Sequence, residues 1–159
     1  TAGLHFTAEV LERLQARDVA IAPMTLHVGY GTFLPIETEQ VEEHRMEEER
    51  FFLDEASAGK INDAQRVIAV GTTATRVLET VADAQGQVRP VQGATDLYIY
   101  PGYRFRRVDA LLTNFHLPKS SLFLLVCAFA GRETMLKAYR TAVENGFRFY
   151  SYGDCMLIV

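Results

Sequence analysis

Nine unbroken apolar residues, 122–130, held between a Ser pair and Gly131, constrain this chain more than any other feature. The run must be buried, yet it is too short for a bilayer, which needs about 20 apolar residues. A helix inside a folded domain fits. Pro118 stops the preceding element, Ser120 or Ser121 caps free N–H groups, and Gly131 ends the helix. Just before it, Thr113-Asn114-Phe115-His116 follows the apolar stretch "DALL". That places "TNFH" between a strand end and a helix start, the crevice in which open α/β sheets bind ligands.

The rest of the chain alternates helical and extended patterns. Thr7 caps a helix with Val10, Leu11 and Leu14 on one face, ending near Asp18, and "VAIAP" reads as a strand. A second helix is expected over 55–64, then the strand "RVIAVG" and a third helix opening at Thr72 or Thr73. "DLYIY" and "DALLTNF" read as strands. A last helix carries Met135, Tyr139, Ala142 and Val143 at helical spacing and ends at Asn145-Gly146. "FRFYSYGDCMLIV" closes with two short extended pieces around Gly153, and residues 83–96 are the only linker-like stretch. Strand and helix in turn predict an α/β fold, a layered domain with a mostly parallel or mixed sheet flanked by helices. At 159 residues a single domain with a real core is expected.

A net charge of −4 argues against a surface coated in positive charge for non-specific nucleic-acid binding. Cys127 and Cys155 sit in apolar surroundings without metal-ligand spacing, which favours reduced thiols in a cytoplasmic protein. The chain opens at Thr1 with no initiator Met, so a fragment or processed product is expected.

Several stretches carry residues suited to chemistry. In "MTLHVGYGTFLP" alternate side chains share a face, so Met24, Leu26, Val28 and Tyr30 point one way and Thr25, His27, Gly29 and Gly31 the other. The second face is small and polar with one imidazole. Its glycines let another molecule approach the backbone, or else mark a bulge beside a core histidine. "VIAVGTTATRVLET" is a strand, a Gly turn and a helix whose first turn offers the Thr72 and Thr73 hydroxyls and free N–H groups, a place for an anion. Without the Gly-Lys of a P-loop, nucleotide hydrolysis is unsupported. Arg76 pairs either with that anion or with Glu79, the only acid within a turn of it on that helix. Glu47, Glu48 and Glu49 read as a helical or solvated face, and His44 with Glu43 or Glu49 lacks the second His or Cys of a metal site, so none is expected. "YRFRRVD" mixes Arg104, Arg106 and Arg107 with Tyr103 and Phe105. Such a mix holds phosphates and stacks bases, or is simply a strand edge with Arg stems over rings. Asp154, after Gly153, either faces the crevice of His116 or forms a turn.

Taken together, "TAGLHFT", "TLHVGYGTFLP", "VEEHRM", "VIAVGTTATRVLE", "TDLYIYPGYRFRRVDALLTNFHLPKSSLFLLVCAFAG" and "AYRTAVENGFRFYSYGDCM" resemble one family, the S-adenosylmethionine:tRNA ribosyltransferase-isomerases of queuosine biosynthesis. The order matches over nearly the whole chain, and "TNFHLP" with "AFAG" and "SYGD" is the specific part. One departure is Glu47, where the family carries a second His after His44. Another is an N-terminal half that this chain lacks, so it is expected to be part of a longer two-domain enzyme.

The resemblance implies transfer and isomerisation of the ribosyl part of S-adenosylmethionine onto the aminomethyl-7-deazaguanine of a tRNA anticodon. The product would be epoxyqueuosine, with adenine and methionine released. It implies S-adenosylmethionine as substrate with no further cofactor and no metal, a modified tRNA as partner, no membrane, and a monomer. The implied catalytic residues are His116 and His27, since removing the C5′ proton calls for a base. Thr113 and Asn114 would orient substrate, with Thr25, Gly29, Gly31 and Asp154 beside it. Thr72, Thr73 and Arg76 would surround the methionine carboxylate, and Tyr30 or Phe33 would lay a ring on the sulfonium. Arg104, Arg106 and Arg107 would meet the tRNA backbone. The alternative is a non-catalytic tRNA- or anion-binding module; a phosphate-transfer protein built on Thr72 would instead depend on metal.

Overall fold

The computed structural model describes the backbone of residues 1–159 and every side chain except those of Tyr30 and Phe33. It is a mixed α/β chain with two three-stranded sheets where one was expected. Strands β1 (Thr25–His27), β2 (Glu49–Leu53) and β4 (Val91–Thr95) form an antiparallel sheet in the order β1-β2-β4. Strands β3 (Ile68–Val70), β5 (Ala110–Asn114) and β6 (Cys155–Ile158) form a mixed sheet, with β3 parallel and β6 antiparallel to the central β5.

The helices follow their caps. Thr7 accepts from the Val10 N–H and starts α1 (Ala8–Gln15). Asp54 accepts from Ser57 N–H at 2.7 Å and starts α2 (Glu55–Asp63). Helix α3 (Thr72–Val81) opens after Gly71. The apolar run is α4 (Ser121–Ala130), capped by the Ser120 hydroxyl, which accepts from Phe123 N–H at 3.1 Å. Gly131, at φ +85°, ends α4 and begins α5 (Arg132–Glu144), a conformation that favours glycine. Ser120→Ala should cost about 1 kcal/mol of stability, measurable as a lower urea midpoint with unchanged slope. Leu125, Val126 and Cys127 of α4 join Leu53, Val67, Leu78, Leu111 and Ile158 in one buried core.

Four expectations need correction. Residues 19–23 form no strand; the Pro23 and Ile21 carbonyls accept instead from Ser57 Oγ at 2.7 Å and Lys60 Nζ at 2.9 Å on α2. "DLYIY" is likewise no strand, because the Leu97 carbonyl accepts from Arg76 Nε and the Leu97 N–H donates to Thr95 Oγ1. The stretch read as a linker holds β4, paired along its whole length with β2. Only the second of the two closing pieces is a strand; residues 148–154 are a turn tied by the Asp154 N–H to the Arg148 carbonyl at 2.8 Å.

Candidate functional site

Strands β3 and β5 run parallel, so their carboxyl ends, Val70-Gly71 and Thr113-Asn114, lie side by side. Between them and the start of α3 opens a cavity of about 280 Å³, at the small end of ligand pockets. Thr72, Thr73, Thr113, Asn114 and His116 all line it, joined by Thr1 to Gly3, Leu26, Val28, Thr32, Tyr150 and Ser151. Five of the residues singled out from the sequence therefore converge.

Their chemistry differs in detail. His116 is 7 % exposed, and its Nε2 lies 3.0 Å from Thr113 Oγ1. Its backbone N–H donates to the Tyr139 hydroxyl at 2.9 Å. Burial pushes its pKa down to about 4, so the ring is neutral at physiological pH. Thr72 is 7 % exposed and its hydroxyl has no hydrogen-bond partner among the described residues. Asn114 is committed to the protein: its amide nitrogen lies 3.1 Å from His5 Nε2 and donates to the Gly153 carbonyl, and its oxygen accepts from Thr1 Oγ1 at 3.3 Å. Its role here is to hold the Ala2–His5 turn against β5, which is more than orienting a ligand.

Other assignments do not meet at the cavity. His27 and Thr25 are exposed, and in register with Arg50 and Phe52 they occupy the outer face of the antiparallel sheet. The alternation along this strand was read correctly but the wrong face was turned inward: Leu26 and Val28 line the cavity. At Gly31 the close approach is made by the chain itself. The Gly31 N–H donates to Glu47 Oε2 at 3.1 Å, and a Cβ there would strike the Glu47 side chain. The Gly29 N–H donates to Glu49. The Tyr30 and Phe33 side chains lie outside the described residues.

Arg76 is sealed at 2 % exposure. It pairs with Glu49 at 2.8 Å, and its Nε and Nη2 donate to the Leu97 and Thr95 carbonyls. It does not line the cavity, and it does not pair with Glu79. Glu49, expected on a solvated face, is 1 % exposed. Glu79 instead gathers the N–H groups of Arg106, Arg107 and Val108 at 2.7 to 3.0 Å. The Arg107 guanidinium donates to the Ile61 and Ala64 carbonyls at the end of α2, so it is a helix cap rather than a phosphate ligand. Tyr103 and Phe105 pack on each other, and Phe105 on Phe129, so these rings serve the core. Arg104 and Arg106 stay exposed. Asp154 is 3.1 Å from Arg148 and accepts its backbone N–H, which holds its carboxyl below the usual range; it is the turn former.

The sequence reading missed Thr32 and the Thr1–Gly3 segment. Thr32 sits in the short helical turn Tyr30–Phe33, beyond the reach of the strand alternation that marked Leu26 and Val28.

The chain is a mixed α/β protein with a crevice at the carboxyl ends of parallel strands, where a helix N-terminus and a buried imidazole meet, the place at which such sheets bind ligands. The chain belongs to the queuosine biosynthesis protein family, whose model matches residues 1–158. It is 63 % identical over its full length to the S-adenosylmethionine:tRNA ribosyltransferase-isomerase of Syntrophus aciditrophicus, covering 44 % of that protein. It is 56 % identical to the one from Syntrophotalea carbinolica, covering 48 %. The crystal structure of S-adenosylmethionine tRNA ribosyltransferase from Thermotoga maritima superposes with a TM-score of 0.79 at 42 % identity, over all of this chain and 52 % of that one. The chain thus spans about half the length of the relatives it matches. Among the described residues no helix is long and apolar enough to cross a membrane, and Cys127 and Cys155 are free thiols.

Proposed function

We propose that this chain carries the methionine-binding part of the active site of an S-adenosylmethionine-dependent tRNA ribosyltransferase-isomerase. The reaction moves the ribosyl group of S-adenosylmethionine to the aminomethyl-7-deazaguanine of a tRNA anticodon, giving epoxyqueuosine and releasing adenine and methionine. The observation that carries this reading is the convergence of Thr72, Thr73, Thr113 and His116 on one cavity, in a chain matched end to end by proteins of that name.

The residues divide the work. The Thr72 and Thr73 hydroxyls and the free N–H groups of α3 take the carboxylate of the methionine moiety. His116, held by Thr113, accepts the C5′ proton in its neutral form. Arg104 and Arg106 are left to meet tRNA phosphates, and the remainder of a longer chain completes the site. S-adenosylmethionine serves as substrate, without a further cofactor or metal.

In a full-length protein containing this chain, His116→Gln should lower adenine release from S-adenosylmethionine, in the presence of substrate tRNA, by at least about tenfold. Release at the parent rate, with the variant folded, would remove His116 from the mechanism. Anticodon stem-loop binding by the parent without any adenine release would instead favour a binding module.

A further inference from the structure

One wall of the cavity is held by a buried charge. Glu49 accepts from Arg76 Nη1 at 2.8 Å, from the Gly29 N–H at 3.2 Å and from Thr32 Oγ1 at 2.5 Å. Gly29 and Thr32 bracket the start of the turn Tyr30–Phe33, so the carboxylate clamps that turn against β2. Arg76 lies one turn inside α3, which ties the same clamp to the helix whose first turn also lines the cavity.

The clamp has a chemical consequence. A carboxylate offers only lone pairs, so the Thr32 hydroxyl hydrogen is committed to Glu49. Any bond that this hydroxyl makes to a molecule in the cavity is therefore made as an acceptor. In the same cavity Thr72, over nine-tenths buried and with no partner for its hydroxyl among the described residues, stands at the donor-rich start of α3. A donor-rich edge and a locked acceptor sharing one small cavity match a molecule that bears a carboxylate and an ammonium on one carbon.

We propose that Thr32, fixed as an acceptor by Glu49 and Arg76, receives the α-ammonium group of the methionine moiety and so selects an α-amino acid over its deaminated counterpart. This rests on the reading that α3 takes the carboxylate. The experiment is titration calorimetry of the chain with L-methionine and with 4-(methylthio)butanoate, which lacks only the amino group. The parent should prefer methionine by about tenfold or more. Thr32→Val should bind both alike, and Thr32→Ser should keep the preference; Thr32→Ala replaces the Val variant if the latter does not fold. A Val or Ala variant that still prefers methionine overturns the proposal. Equal binding of both compounds by the parent overturns it while leaving the carboxylate site standing, whereas binding of neither overturns both.

Discussion

An Arg76→Ala chain is expected to unfold about 3 to 5 kcal/mol more readily than its parent, the largest loss foreseen for any single substitution considered. Both partners are sealed, at 2 % and 1 % exposure, so removing the guanidinium strands the Glu49 charge where water cannot reach it. It also strips the Leu97 and Thr95 carbonyls of their donors. Pairing Arg76→Ala with Glu49→Gln should recover part of the loss, because Gln still accepts from Thr32 and Gly29 and no charge is left buried. Urea unfolding of the two single variants and the double variant measures this directly. A single Arg76→Ala loss below about 1 kcal/mol, the range of an exposed pair, would contradict it.

The second large effect is a pH dependence. Between pH 7 and pH 4 the parent should lose about 3 kcal/mol of stability through His116 alone, a loss that His116→Gln should not show. In the unfolded chain this imidazole takes up a proton as pH falls through 6.5; in the folded chain burial delays protonation to about pH 4. The unfolded state therefore binds more protons across that window. Stability present above pH 6.5 is lost as pH falls toward 4, at about 1.4 kcal/mol per pH unit, and levels off below. Urea midpoints of both chains at successive pH values isolate the contribution, since the carboxylates common to both cancel. Parallel curves would show that His116 is not held neutral. The same burial predicts that adenine release by a full-length protein has no imidazole inflection near pH 6.5.

The helices were legible because their signals are local. Thr7, Ser120 and Gly131 act within one turn of themselves, and each stands where the structure uses it. The crevice was legible for a similar reason, since "TNFH" and "GTT" each mark a strand end by themselves. What stayed hidden depends on partners distant in sequence. Arg76 has an acid one turn away in Glu79, yet it pairs with Glu49, 27 residues back, and nothing along the chain announces that choice. Strand β2, written "ERFFL" behind a run of acids, looks solvated until β1 and β4 flank it on either side. His27 shows a different limit. Period-two alternation separates two faces of a three-residue strand, but the packing of the rest of the molecule decides which of them turns inward.

Gly131 is shared, as the C-terminal cap of α4 and the N-terminal cap of α5, so one residue alone joins the two helices. A residue inserted within α5 ahead of Tyr139 would turn the rest of that helix by about 100° about its axis. Tyr139, whose hydroxyl accepts from the His116 backbone N–H, would swing away from the backbone it holds. The length of this helix thus fixes where the backbone of a cavity residue is anchored.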